Sequence, residues 1–239
     1  ESLVALRDIR RSGLALDHIA CGYGISTCEK SRQWPWSLEL MEELCREGLE
    51  VNVVTCSSTL KACSSGRLWA RALGLLRGAE RRGVALNEVA YNTAISGCGY
   101  QWQHALALKE EMLDRQLHPD AVTYSSLMSA CNRCDQWQWV IELLWETETL
   151  EIPVDAAVYN AAIVACEKAR QWEWVLDLME YMRWDEVALS TITFNTAIST
   201  CEKCQQWQVA LLLLRAMPAE GPAPDTITFS AAISACEKG

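Results

Sequence analysis

Residues 191–225 read TITFNTAISTCEKCQQWQVALLLLRAMPAEGPAPD, and residues 156–190 before them read AAVYNAAIVACEKARQWEWVLDLMEYMRWDEVALS. Both stretches are 35 residues long, with an aromatic fourth, a Cys eleventh and a Trp seventeenth. The marks recur outward along the chain. Cys28, Cys63, Cys98, Cys131, Cys166, Cys201 and Cys236 are separated by 35, 35, 33, 35, 35 and 35 residues. Trp34, Trp69, Trp102, Trp137, Trp172 and Trp207 are separated by 35, 33, 35, 35 and 35. Two residue types keep one period and share one two-residue deletion, which marks stacked supersecondary units. The blocks are 18–52, 53–87, 88–120, 121–155, 156–190 and 191–225. Residues 1–17 form the tail of an earlier block and 226–239 the head of a later one. The whole of 1–239 is therefore expected to be a single array, cut from a longer one.

Each block reads as two helices. In the first, apolar residues recur at steps of four and three, as in Tyr159, Ile163, Cys166 and Phe194, Ile198, Cys201. That spacing lines one helical face rather than alternating as a strand does. A small residue such as Ala162 or Ala197 lies between them and permits close helix approach. The second helix is expected to start near the Trp, with a core stripe of Trp172, Leu176, Met179, Met182 or Trp207, Leu211, Leu214, Met217. Breakers and caps precede the next block: Pro119-Asp120, Val154-Asp155 and Pro224-Asp225. A lone helix pair cannot bury its apolar face, whereas stacked neighbours bury it together. The expected fold class is all-α, a right-handed α-solenoid of helix-turn-helix repeats.

Composition narrows the function. Half of the 239 residues are apolar and 22% are charged, which makes the chain globular. The longest apolar run, Val209–Leu214, is too short to cross a bilayer, so no membrane partner is expected. The formal net charge of -10 argues against a nonspecific phosphate binder. Twelve Cys raise the question of zinc or disulfides. Cys131/Cys134 and Cys201/Cys204 have a zinc-like spacing, but the first of each pair is the periodic core Cys and no His pair follows. The periodic Cys are expected in the core, and the periodic Trp as core anchors. Trp36, Trp139 and Trp174, two residues further on, lie either between repeats or on a partner surface. No His-x-Glu motif, Gly-rich phosphate loop or carboxylate cluster outside the repeats is present, so neither an enzyme nor a cofactor or metal site is expected within this stretch.

The strings Val122-Thr123-Tyr124-Ser125, Ala157-Val158-Tyr159-Asn160 and Ile192-Thr193-Phe194-Asn195 resemble the opening of the pentatricopeptide repeat. The 35-residue step and the Pro-Asp before an opening agree with it, and the resemblance covers essentially the whole chain. Tetratricopeptide repeats, at 34 residues, place a Gly and a Tyr inside the first helix, whereas here Gly is absent from the middle of most first helices and the aromatic comes near the helix start. The Trp of the Cys-Glu-Lys…Gln-Trp strings departs from the usual consensus.

The resemblance implies sequence-specific binding of single-stranded RNA, one base per repeat. In that family the fifth and last residues of a block select the base. Those positions hold Ser57 with Asn87, Asn92 with Asp120, Ser125 with Asp155, Asn160 with Ser190 and Asn195 with Asp225, and Ser230 opens the next block. Gly22 with Asn52 is expected to read weakly or not at all. By the family's pairing rule, blocks 53 onward read A, U, G, C, U from 5′ to 3′; the 33-residue block 88–120 is the one whose geometry the deletion threatens. The second residues clamp the bases: Val54, Val89, Val122, Ala157, Ile192 and Ile227, with Ile19 at the head of the first complete block. Lys30, Arg133, Lys168, Lys203 and Lys238, near the end of the first helix, are expected to contact phosphates or simply to complement the helix C-terminus. The resemblance further implies a plastid or mitochondrial protein acting on RNA processing, stability or translation.

Bland chemistry competes at these positions. Asp, Asn and Ser just before a helix are favoured N-caps, and capping and base reading are compatible. Capping does not account for the fifth residue, where Asn and Ser are mediocre helix formers. An Asn amide offers both a donor and an acceptor, a Ser hydroxyl offers either, and Asp only accepts. The charge is uneven. Across the first thirteen residues of the seven first helices the net is +1, and the acidity lies in second helices and turns. That outer acidity would repel stray nucleic acid and suits a protein partner, which keeps a protein-binding scaffold as the rival reading. A targeting arm for an enzyme encoded beyond this stretch is a third.

Overall fold

The computed structural model describes residues 18–31, 33–48, 51–66 and 68–238; the side chains of 18–20, 29 and 30 are not among those described. The tail 1–17, and the side chains of Ile19 and Lys30, thus lie outside the described residues. Helices come in pairs: α1 (His18–Lys30) with α2 (Trp34–Arg46), α3 (Val53–Ser65) with α4 (Trp69–Arg81), and α5 (Glu88–Gly97) with α6 (Trp102–Asp114). They continue as α7 (Ala121–Arg133) with α8 (Trp137–Thr149), and α9 (Ala156–Lys168) with α10 (Trp172–Trp184). Last come α11 (Thr191–Lys203) with α12 (Trp207–Ala216), a 3-10 turn at Met217–Glu220, and α13 (Thr226–Lys238). Among the described residues there is no strand. The fold is an all-α solenoid of helix-turn-helix repeats. Two compact units divide it, residues 1–130 and 131–239. In the first, α1, α3 and α5 pack in succession; in the second, α9, α11 and α13 do the same, and each first helix also rests on the second helices beside it.

The core follows the repeat. The fourth-position ring and the residues one and two turns on are fully buried in each unit: Tyr91, Ile95 and Cys98 in the first, Tyr159, Ile163, Cys166, Phe194, Ile198 and Cys201 in the second. Burial pushes the Cys166 thiol up to about 12, as expected of an inert packing residue. Cys236 is the exception to the expected core series. It is exposed, because no second helix of its own block covers it among the described residues.

The second helices depart from the expected stripe by about one residue. Val175, Leu178, Met179 and Met182 are buried on α10, and Ala210, Leu213 and Met217 on α12 and its 3-10 turn, whereas Leu176, Leu211 and Leu214 sit half-buried at the edge. A second helix packs against two first helices, so its apolar face is wide and its centre is not given by the Trp register. The periodic Trp are likewise half-buried, with Trp207 exposed, rather than core. They sit between neighbouring blocks. A Cβ on Gly66, at the end of α3, would come within 2.9 Å of the Trp34 ring, and Trp69 stacks on His104 at 4.8 Å between centroids. Of the extra Trp, Trp174 lies 6.3 Å from Trp137, again between blocks.

Turn residues close each pair. Left-handed conformations fall after the second helices at Gly48, Gly83, Gln116, Glu151 and Glu186, and between the helices of a pair at Gly99, Asp135, Arg170 and Gln205. The bonds Val84 N–H to Ala79, Leu117 N–H to Met112, Ile152 N–H to Thr147 and Val187 N–H to Met182 close Schellman turns, at 2.8 to 3.1 Å. The chain therefore reverses at the same point in these four blocks, whereas block 191–225 turns through Met217–Glu220 and left-handed Gly221.

Candidate nucleic-acid interface

The last residue of every complete block caps the next first helix. Asn52 Oδ1 accepts from the Thr55 N–H at 2.9 Å, Asn87 Oδ1 from Ala90 at 3.1 Å and Asp120 Oδ1 from Thr123 at 2.9 Å. Asp155 Oδ1 accepts from Val158 at 3.0 Å, Ser190 Oγ from Thr193 at 3.2 Å and Asp225 Oδ1 from Thr228 at 2.8 Å. Capping fixes these side chains in position and leaves further valences for other partners.

Three of them meet the fifth residue of their own block. Asn92 Nδ2 donates to Asp120 Oδ1 at 3.1 Å, and the Thr123 hydroxyl lies 2.6 Å from Asn92 Oδ1. Asn195 Nδ2 lies 3.2 and 3.3 Å from the Asp225 carboxylate oxygens, with the Thr228 hydroxyl 2.5 Å from Asn195 Oδ1. Asn160 is linked to Ser190 through Thr193: the Thr193 hydroxyl donates to Asn160 Oδ1 at 2.8 Å and lies 2.9 Å from Ser190 Oγ. Residues 28 to 30 apart in sequence are thus drawn together, and all three Asn are half-buried rather than enclosed. The deletion in block 88–120 leaves this arrangement intact. It shortens the turn between α5 and α6, where Cys98 and Trp102 are four residues apart instead of six, and the Asn92 contacts match those of Asn195 to within 0.1 Å.

The Ser blocks are arranged differently. Ser57 Oγ donates to the Val53 carbonyl at 2.8 Å and Ser230 Oγ to that of Thr226 at 2.7 Å, so these hydroxyls fold back on their own helices. Ser125 is exposed on α7. A hydroxymethyl is too short to reach the next cap, which leaves more open space at these blocks than at the Asn blocks.

Beside each fifth residue stands an exposed second residue. Val54 is 71% exposed, Val89 59% and Val122 58% in the first unit; Ile192 is 67% and Ile227 64% exposed in the second, where Ala157 is exposed as well. A single exposed Val needs no explanation, but within each unit exposed apolar side chains, all branched except Ala157, recur at one position of successive first helices.

The basic residues are less free than their sequence position suggests. Lys203 Nζ is 2.9 Å from Glu167 Oε1, and Lys238 Nζ is 2.8 Å from Glu202 Oε1; each pair joins one first helix to the one before. Lys168 Nζ donates to the Asn132 carbonyl at 3.1 Å and lies 3.5 Å from Asp135. Arg133 is exposed at the end of α7. One repeat period places Glu167 beside Lys203 and Glu202 beside Lys238, a pairing that sequence inspection misses, and a phosphate must share or displace it.

Electrostatics reinforce the capping carboxylates. Burial alone would raise Asp120, but the bonds from the Thr123 N–H, the Thr123 hydroxyl and the Asn92 amide outweigh it and hold the carboxyl below its ordinary value. The Thr228 N–H and hydroxyl, with the Asn195 amide, hold Asp225 low against a smaller effect of burial. A carboxyl depressed in the folded state contributes stability above its unfolded value, near 3.9, and loses it as pH falls through the folded value. Both caps are therefore expected to persist unchanged from pH 8 to 5. Thermal melts should show their contribution vanish below about pH 4, and Asp120→Asn and Asp225→Asn should flatten that fall. A loss between pH 7 and 5 that both variants abolish would contradict the assignment.

Among the described residues no group of three or more His, Cys, Asp or Glu is placed to hold a metal, and no helix is long and apolar enough to cross a membrane. A helical-repeat protein with a recurring polar cluster beside an exposed apolar side chain is what the fold and this face define. Three family models match it: "PPR repeat family" at 87–133, "PPR repeat" at 122–150 and "Pentatricopeptide repeat domain" at 142–204. The chain belongs to the pentatricopeptide repeat family.

Solved structures agree on the fold. The pentatricopeptide repeat protein PPR10 from maize is similar with a TM-score of 0.74 at 24% identity, over 97% of this chain and 33% of that one. PPR10 in complex with an 18-nt psaJ RNA element matches with a TM-score of 0.57 at 21% identity, over 93% of this chain and 36% of that one. The PPR domain of Arabidopsis thaliana protein-only RNase P 1, in complex with tRNA, matches with a TM-score of 0.66 at 14% identity, over 77% of this chain and 98% of that domain. The chain thus spans about a third of the length of PPR10. No curated protein matches it in sequence.

Proposed function

We propose that this chain binds single-stranded RNA in a sequence-specific manner, one base to each of the blocks bounded above, without catalysing a reaction itself. The observation that carries the reading is the meeting of Asn92 with Asp120 and of Asn195 with Asp225, beside exposed Val89 and Ile192. The chemistry assigns separate tasks. The last residue reads the ring nitrogen of the pairing edge: Asp accepts from the N–H of U or G, while Asn87 and Ser190 donate to the bare nitrogen of A or C. The fifth residue reads size, because Ser57 and Ser125 leave room for a purine and Asn fills it against a pyrimidine. Val54, Val89, Val122, Ala157, Ile192 and Ile227 hold the base faces. Arg133, Lys168, Lys203 and Lys238 supply phosphate contacts at the far end of the same helices, in a chain whose net charge of -10 makes binding modest and steeply salt-dependent.

By family, the setting is a plastid or a mitochondrion and the task RNA processing, stability or translation. The likeness to the PPR domain of a protein-only RNase P supports a related role, as targeting arm of an enzyme on the same polypeptide. A gel shift with an RNA carrying A-U-G-C-U, set against the scrambled pentamer, tests the reading. The ordered pentamer is expected to bind at least about tenfold more tightly, the worth of about one hydrogen bond. Equal binding of both, or of neither, would favour a protein-binding scaffold instead.

A further inference from the structure

We infer that the third residue of the following block, Thr123, Thr193 or Thr228, is a positioning residue that sets which end of the preceding Asn amide faces the base. The inference rests on the base-reading role proposed above. A carboxamide is symmetric in shape, so its two orientations differ only in hydrogen bonding. Here the orientation is imposed. The Thr123, Thr193 and Thr228 hydroxyls lie 2.6, 2.8 and 2.5 Å from Oδ1 of Asn92, Asn160 and Asn195. All three Thr are fully buried, so no water replaces them. Each hydroxyl also accepts from a backbone N–H, of Asp120 at 3.1 Å, Ser190 at 3.2 Å and Asp225 at 3.0 Å, so its single hydrogen is left to share between the Asn Oδ1 and the capping oxygen, Asp120 Oδ1 at 2.9 Å, Ser190 Oγ at 2.9 Å or Asp225 Oδ1 at 2.8 Å. Two of the Asn have a carboxylate on the other side that only accepts, and it draws Nδ2 toward the cap.

The amide thus presents its N–H₂ end, and its second hydrogen can reach the O2 that both pyrimidines carry and purines lack. The sequence follows the same logic. Every complete block from 53 on with Asn fifth is followed by Thr at the next third position, and the two with Ser fifth, Ser57 and Ser125, are followed by Ala90 and Val158. A Ser that bonds its own helix, as Ser57 does, needs no such anchor. The unit of specificity therefore crosses the block boundary.

Thr193→Val removes the hydroxyl at constant shape. Binding of RNAs that differ only at the fourth nucleotide of A-U-G-C-U should show the pyrimidine-over-purine ratio there reduced about tenfold, the worth of one oriented hydrogen bond. The ratio at the fifth nucleotide, read by Asn195, should hold, and Thr193→Ser should restore the fourth. A wild-type ratio retained in Thr193→Val, or an equal loss at every nucleotide, would overturn the inference. If the wild type itself fails to discriminate at the fourth nucleotide, the base-reading assignment has failed, and this one with it. A gain-of-function variant guards against misfolding. A Cβ on Gly22 would lie 3.5 Å from Thr55 Cγ2, so Gly22→Asn places an amide beside Thr55, whose hydroxyl donates to the Asn52 carbonyl at 2.9 Å and would redirect its hydrogen to the new Oδ1. A pyrimidine preference should then appear at the nucleotide 5′ of the pentamer, and its absence counts against the proposal.

Discussion

Replacing Asn160 by Ser and Ser190 by Asp together is expected to turn the preference at the fourth nucleotide from C to G. Asn160 and Ser190 are bridged by Thr193, so the two positions act on one base rather than on two. Shortening the fifth side chain opens space for a purine. The new carboxylate accepts from the N1–H and N2–H₂ of guanine and repels the bare N3 of cytosine. One matched set of such contacts discriminates by ~1–3 kcal/mol, and the double change loses one set and gains another. The C-to-G ratio should therefore move about a hundredfold, with the other four nucleotides unaffected. Competition binding with four RNAs that differ at that nucleotide measures it. An unchanged preference for C, or a uniform loss across all four RNAs, would show that these residues do not select a base.

Phe194→Ala and Ile192→Ala, two residues apart on α11, should have opposite consequences. Phe194 is fully buried, and deleting its ring leaves a cavity that costs ~3–5 kcal/mol. For a unit of this size that lowers the melting temperature by more than ~10 °C. Ile192 is 67% exposed, so its truncation should leave the melt within about 0.5 kcal/mol of wild type. The same truncation removes roughly 50 Å² of contact with a base, about tenfold in RNA affinity. Circular-dichroism melts and filter binding separate the pair. If Phe194→Ala melts within a few degrees of wild type, the packing of α11 is wrong. Unchanged RNA affinity in Ile192→Ala removes the clamp.

The repeat, the two helices in each block and the ring-and-Cys seam of the first helix were all legible in the sequence, because a period held by two residue types leaves little freedom of register. Capping was legible too, since Asp120, Ser190 and Asp225 precede helices wherever the chain is read. The second helix was less so. Its apolar face serves two neighbours, and the buried Val175 and Leu178 are not the residues that a Trp-centred stripe selects. The periodic Trp were read as core because a large apolar ring at a fixed position looks like an anchor, yet they cover the junctions between blocks.

By itself, the sequence determined the period, the fold class and which polar positions recur, since these depend on local propensity and on apolar spacing along one chain. Only the tertiary structure decided what each recurring side chain touches. Stacking brings Asn92 to Asp120 and Thr123, and Lys203 to Glu167, at hydrogen-bond distance. Those partners lie about one period apart in sequence, where no local rule connects them. Their distance and orientation are set by how one helix pair rests on the next.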